Sequence, residues 1–155
     1  MELVKNKKLS LIIIVILIIT IFFIFKGHTI KLNFNDKVEM DGYKFSINGD
    51  DIQVYKKRVT VPMRIENLKN KENPLYPAKT FNLIADGKKA KMKEFSNSDE
   101  YINGTSFQPK WTFALDMVYE IKGHPKSYKL QIRDRRLLKD KVYEYDLTPH
   151  IINIK

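Results

Sequence analysis

The chain contains no cysteine, which excludes disulfides, thiolate metal sites, a cysteine nucleophile and a lipid-modified N-terminal cysteine. Histidine is almost as scarce. His28, His124 and His150 stand far apart, so no short-spaced pair is present to hold zinc. There is no G-x-G-x-x-G, no P-loop, no H-E-x-x-H and no G-x-S-x-G. Acidic residues are outnumbered, with 18 Asp and Glu against 28 Lys and Arg and a net charge of +10. Hydrophobic residues still make up 43% of the 155 positions, enough for one folded domain rather than a disordered chain.

There is one long apolar run. Residues 9–25 read LSLIIIVILIITIFFIF, with Ser10 and Thr20 as the polar interruptions and no charge. As a helix this run spans about 26 Å, close to the roughly 30 Å of a bilayer's hydrocarbon core. Lys5, Lys7 and Lys8 precede it, so the positive-inside rule assigns residues 1–8 to the cytoplasm. Lys26 follows and is placed to snorkel to the far interface. No small-x-small cleavage site follows the run, so an uncleaved single-pass anchor is expected in preference to a signal peptide. Residues 26–28 then form a juxtamembrane linker, and residues 29–155 an extracytoplasmic domain. Without residues 1–26, which hold Lys5, Lys7, Lys8, Lys26 and Glu2, the net charge is +7.

The remainder reads as strands. Residues 58–66 alternate strictly, with Val59, Val61, Met63 and Ile65 on one face, the mark of a half-buried strand. Pro62, lacking an N–H, predicts an edge or a bulge there. Asp41-Gly42 and Asp86-Gly87 predict two-residue hairpin turns, because both positions of such a turn need positive φ. Further strands are expected over 29–34, 38–40, 43–47, 52–55, 80–85, 88–93, 110–118, 128–133 and 141–147, with Trp111 inward on a central strand. Residues 67–79 and 94–109 read as long polar loops. Eight or nine short strands with regular turns predict an all-β, antiparallel immunoglobulin-like β-sandwich behind a single transmembrane helix.

The order of features over residues 38–133 resembles that of the immunoprotective extracellular superfamily, the immunoglobulin-like domains that Gram-positive bacteria tether by an N-terminal anchor. The matching pieces are VTVPMRIEN (59–67), FNLIADGKKAKM (81–92), FQPKWTFALD (107–116) and YKLQIRD (128–134). Where that family carries a Pro-Gly pair in its linker, this chain has Asn103-Gly104 and Gln108-Pro109. The resemblance implies a fold, a topology and an interaction role. It brings no catalytic residue, metal or cofactor.

Candidate chemistry is sparse. Asn48, Asp50 and Asp51 offer oxygens, but their spacing is that of a hairpin turn rather than a calcium loop. Ser96, Ser98 and Thr105 share a loop with Asp99 and Glu100 at no diagnostic spacing. The expectation is therefore a non-enzymatic binding module without cofactor or metal, and without nucleic acid as partner. Tyr76, Phe95, Tyr101 and Phe107 in the two long loops are candidate anchors for a protein partner, the equal alternative being that they tuck against the sandwich. Lys56, Lys57, Arg58, Arg133, Arg135 and Arg136, with the run of lysines after the second Asp-Gly turn, are candidate contacts for an anionic cell-wall polymer or lipid surface. The alternatives are an accessory subunit of membrane export or cell-wall machinery, or a cell-envelope enzyme.

Overall fold

A computed structural model describes residues 14–15, 28–136 and 139–154; the expected cytoplasmic tail and most of the expected anchor and linker lie outside them. Ile14 and Val15 are helical and exposed. Among the described residues no helix is long and apolar enough to cross a membrane.

The alternating segment forms the central strand, β5 (Arg58–Asn67), with Val59, Val61, Met63 and Ile65 fully buried. On one side it pairs antiparallel with β11 (Thr112–Glu120) along its length. On the other it pairs first with β4 (Ile52–Tyr55) and then with β3 (Tyr43–Ile47). Pro62 falls where these two partners meet. Its carbonyl accepts the Asn48 N–H at 3.0 Å, and its missing donor faces the break between them. Pro62 therefore sits inside the sheet rather than at its edge, because no ladder bond is lost there.

The larger sheet is completed by β2 (Val38–Met40) on β3, β9 (Lys91–Phe95) on β11, and β14 (Ile151–Ile154) on β4. The second sheet has the order β1 (His28–Leu32), β13 (Lys139–Asp146), β12 (Tyr128–Arg136), β7 (Phe81–Ala85), β8 (Lys88–Lys89). Two pairings correct the expectation of an antiparallel fold: β1 runs parallel to β13, and β14 runs parallel to β4. Both long loops are also more structured than expected. They contribute β6 (Asn73–Leu75) and β10 (Thr105–Phe107), which pair with each other, a helical turn α1 (Pro77–Thr80) and a 3₁₀ turn over Glu100–Asn103.

The two sheets face one another across a core rich in aromatic rings. Phe81 of the second sheet meets Phe45 of the first edge-on at 5.3 Å and stacks on Phe95 at 6.2 Å. Tyr43 and Phe107 continue the cluster at 5.8 Å. Each such pair adds about 0.5–1.5 kcal/mol to the burial of its area.

Chain continuity links the two sheets on both sides of the sandwich. The segment expected as one strand over 88–93 changes sheets at Ala90. There β8 leaves β7, the Ala90 N–H donates to the Leu83 carbonyl at 2.8 Å, and β9 joins β11. On the opposite side the turn after β1 leads straight into β2. The Tyr145 hydroxyl donates to the Asp36 carbonyl there at 2.8 Å.

Candidate functional site

Lys56 and Lys57 form the turn between β4 and β5, with Lys56 in the left-handed region at φ 53°. The register of β11 carries that basic turn toward a second group of cations. Glu120 lies opposite Arg58 on one side and opposite Lys91 on the other. Arg58 and the Lys91–Lys93 end of β9 therefore flank the same strand. Arg58 Nη1 contacts Glu94 at 3.1 Å, and Lys93 contacts Glu120 at 3.3 Å. Lys57, Lys88 and Lys91 have no carboxylate within ion-pair distance among the described residues.

Two hollows meet here. One, about 820 Å³, runs beside the β8–β9 crossover toward the 3₁₀ turn, with Phe81, Met92 and Tyr119 at its apolar base and Lys89, Lys91, Asn97 and Asn103 among its lining. The other, about 530 Å³, lies over the β4–β5 turn between Tyr55, Lys57 and Glu120. Arg58 and Lys93 line both. The result is an open, partly apolar groove whose sides carry Lys56, Lys57, Arg58, Lys89, Lys91 and Lys93 against the carboxylates of Glu94, Asp99 and Glu120. Cations outnumber carboxylates along it.

The turn beside this groove is fixed by Asp86. Asp86 and Gly87 have φ 46° and 73°, as the Asp-Gly pattern predicts. The Asp86 carboxylate accepts the Ser127 N–H at 2.9 Å, the Ser127 hydroxyl at 3.0 Å and the Lys126 N–H at 3.0 Å. Those bonds, the Ser127 N–H foremost, hold its carboxyl below the usual range. The buried phenols behave oppositely: desolvation raises Tyr43, Tyr119 and Tyr145, which stay protonated at neutral pH.

The remaining sequence candidates fall in different places. Arg133 is half-buried in β12 of the other sheet and lines neither hollow. Arg135 and Arg136 continue that strand, and their side chains lie outside the described residues. The structure thus separates these three from Lys56, Lys57 and Arg58. Tyr76 and Tyr101 are exposed, at 49% and 44%. Gly104, after the 3₁₀ turn, lies against the Tyr76 ring, so the two loops share one flank.

Phe95 and Phe107 are corrections. Both are buried, because Phe95 stacks on Phe81 and Phe107 meets Tyr43 and Phe113. Trp111 is the reverse case. It was expected in the core and is 56% exposed. It precedes the first residue of β11, and Lys110 at φ 60° turns the chain so that the indole lies outside, against Phe113 at 5.5 Å. Ser98 serves a turn, its Oγ accepting the Glu100 N–H at 3.2 Å. His150 stacks on Phe34 with ring centroids 3.6 Å apart.

Sequence reasoning missed Asn67, the last residue of β5, except as the end of a motif. Its side chain is fully buried. Its Nδ2 donates to the carbonyls of Lys71, Phe107 and Gln108 at 2.9–3.0 Å, and its Oδ1 accepts the Lys69 N–H at 3.0 Å. This one amide ties the central strand to both long loops.

No protein-family model matches the chain, and no curated protein matches it. Solved structures similar to it include the ycdA protein of Bacillus subtilis, at 10% identity and a TM-score of 0.49 over 71% of this chain. The chain spans 38% of that protein's length. An uncharacterized β-sandwich protein of Clostridium difficile is similar at 14% identity and a TM-score of 0.49, over 77% of this chain and 95% of that one. The secreted protein MPT63 of Mycobacterium tuberculosis is similar at 10% identity and 0.49, over 77% of this chain and 99% of that one. The all-β class and the two-layer arrangement rest on this chain's own strand pairings.

Proposed function

We propose that this chain is a membrane-tethered, extracytoplasmic binding module of immunoglobulin-like type that holds an anionic envelope polymer in its basic groove and performs no catalysis. The observation that carries this reading is that Arg58 and Lys93 line both hollows, with Lys57 in one and Lys91 in the other having no carboxylate within ion-pair distance among the described residues. A phosphate-rich polymer carries the opposite charge, and its binding releases counterions. The apolar run over residues 9–25 supports the tether, and the lysines before it support an outward-facing domain. A second reading, a protein partner on the flank of Tyr76 and Tyr101, is favoured by their joint exposure.

The test is titration of the full-length protein, held in zwitterionic nanodiscs, with a poly(glycerol phosphate) chain at two salt concentrations. Binding is expected to weaken with salt and to fall roughly tenfold or more in a Lys57→Glu/Lys91→Glu variant. Binding that ignores both salt and charge reversal refutes the polymer reading. A Tyr76→Ala/Tyr101→Ala variant that alone loses a membrane-derived partner transfers the function to that flank.

A further inference from the structure

The path of the chain into the sandwich fixes which end meets the membrane. His28 pairs with Lys141, which lies opposite Asp134, two residues beyond the Ile132–Phe81 pair. Phe81 packs on Phe45, which lies opposite Ile65, and Asn67 ends β5 two residues further the same way. The chain therefore joins the sandwich at the end formed by Asn67, the Asp41-Gly42 turn and the segment leading into β11. The basic turn at Lys56 and Lys57 lies at the other end of the ten-residue β5, about 30 Å away.

We infer that the end bearing Trp111 rests on the lipid headgroups of the membrane, with the indole seated at the interface. This inference rests on the tethered reading above. Two residues, 26 and 27, separate the apolar run from β1, and the three Cα–Cα steps from residue 25 to His28 reach about 10 Å when extended, so this end stays close to the bilayer.

Trp111 is built for that contact. Its ring leans on Phe113, which meets the buried Phe107 at 4.9 Å, and its carbonyl accepts the Asn67 N–H at 2.9 Å. It is thus a rigid, half-exposed apolar surface with an N–H at its edge, the residue type that collects at membrane interfaces. Lys110 precedes it and donates its N–H to the Lys69 carbonyl at 3.2 Å, and the Lys71 carbonyl accepts from Asn67, so three lysines stand at this end against Asp41, Glu66, which pairs with Lys44, and Glu72, which is held by Gln108 at 2.6 Å. The strand ends at Arg136 and Lys139 bring more basic backbone positions to the same end. Anionic headgroups complement this balance.

Trp111 is the single tryptophan, so the unmodified protein carries its own probe. Full-length protein is reconstituted into vesicles of phosphatidylglycerol and phosphatidylcholine, floated on a gradient, and its emission measured with lipids brominated near the headgroup. A Trp111→Phe/Tyr55→Trp variant moves the probe to the opposite end, where Tyr55 is 44% exposed. The expected result is flotation, a blue-shifted Trp111 emission that brominated lipid quenches, and an unquenched probe at position 55. Flotation with an unquenched Trp111, or with equal quenching at both positions, overturns the inference and leaves the tether standing. Protein that does not float overturns the tether, and this inference with it.

Discussion

Asn67 is the amide on which the long loops depend, and removing it should show how much of the domain they stabilise. Asn67→Ala deletes bonds to the Lys71, Phe107 and Gln108 carbonyls and to the Lys69 N–H. Two amide hydrogens serve three carbonyls, so one is shared, and the side chain is worth about three full bonds. At about 1 kcal/mol each the loss is about 3 kcal/mol, the groups left behind being partly rehydrated. With an unfolding entropy near 2.1 cal/mol/K per residue, this lowers the melting temperature of a domain this size by roughly 11 °C. Asn67→Asp should be worse than alanine, because it aims a carboxylate at three carbonyls. Thermal unfolding followed by near-ultraviolet circular dichroism measures both. A fall of under about 3 °C for Asn67→Ala, or an aspartate variant milder than the alanine one, would refute the assignment of Asn67 as the tie between β5 and the loops.

Two other substitutions test the turns. Gly42→Ala and Gly87→Ala both place a side chain at positive φ, 77° and 73°, but a Cβ at Gly42 would overlap Lys69 Cε and stand 2.8 Å from its Cγ, whereas nothing lies within 4 Å of one at Gly87. Gly87→Ala should cost about 1 kcal/mol of backbone strain, and Gly42→Ala about 2 because Lys69 must also leave Asn73 Oδ1; equal urea midpoints for the pair would count against this packing. Asp86→Ala should destabilise at neutral pH. Because the folded carboxyl is depressed, the gap from the unmodified protein is full above the unfolded value near 3.8 and shrinks as pH falls through the folded one; a gap that persists unchanged in strong acid would contradict the bonds to Ser127 and Lys126.

The strands that could be read locally were read well. Val59 to Ile65 gave β5 its face, and both Asp-Gly pairs form the turns their φ preference requires. What escaped were features set by distant parts of the chain. The parallel partners of β1 and β14 come from residues more than ninety positions away, and no local pattern encodes them. The run 88–93 reads as one strand because nothing in it marks Ala90 as the point of transfer between sheets. Phe95 and Phe107 read equally as exposed anchors or as rings tucked against the sandwich, because their neighbours are polar, and each is drawn inward by a ring on another strand. Trp111 read as buried because the alternation of β11 extends to it, one residue further than the strand does. In the candidate groove, Lys56-Lys57-Arg58 was legible as a basic cluster. Its meeting with Lys91 and Lys93 was not, since that follows from Glu120 standing between β5 and β9.

The connections along both flanks bear on how this domain avoids pairing with copies of itself. An open sandwich offers outer strands whose unpaired amides recruit a neighbouring molecule, the usual route to fibrils. Here the strand that ends one sheet at β8 carries on as the outermost strand of the other at β9, while β1 reaches β2 through the reversing turn that follows it. Those two selvedges are joined by their own thread, and the outer strand left beside β4, β14, is four residues long, so a copy of the chain seeking to add itself finds short stretches in place of a long bare template.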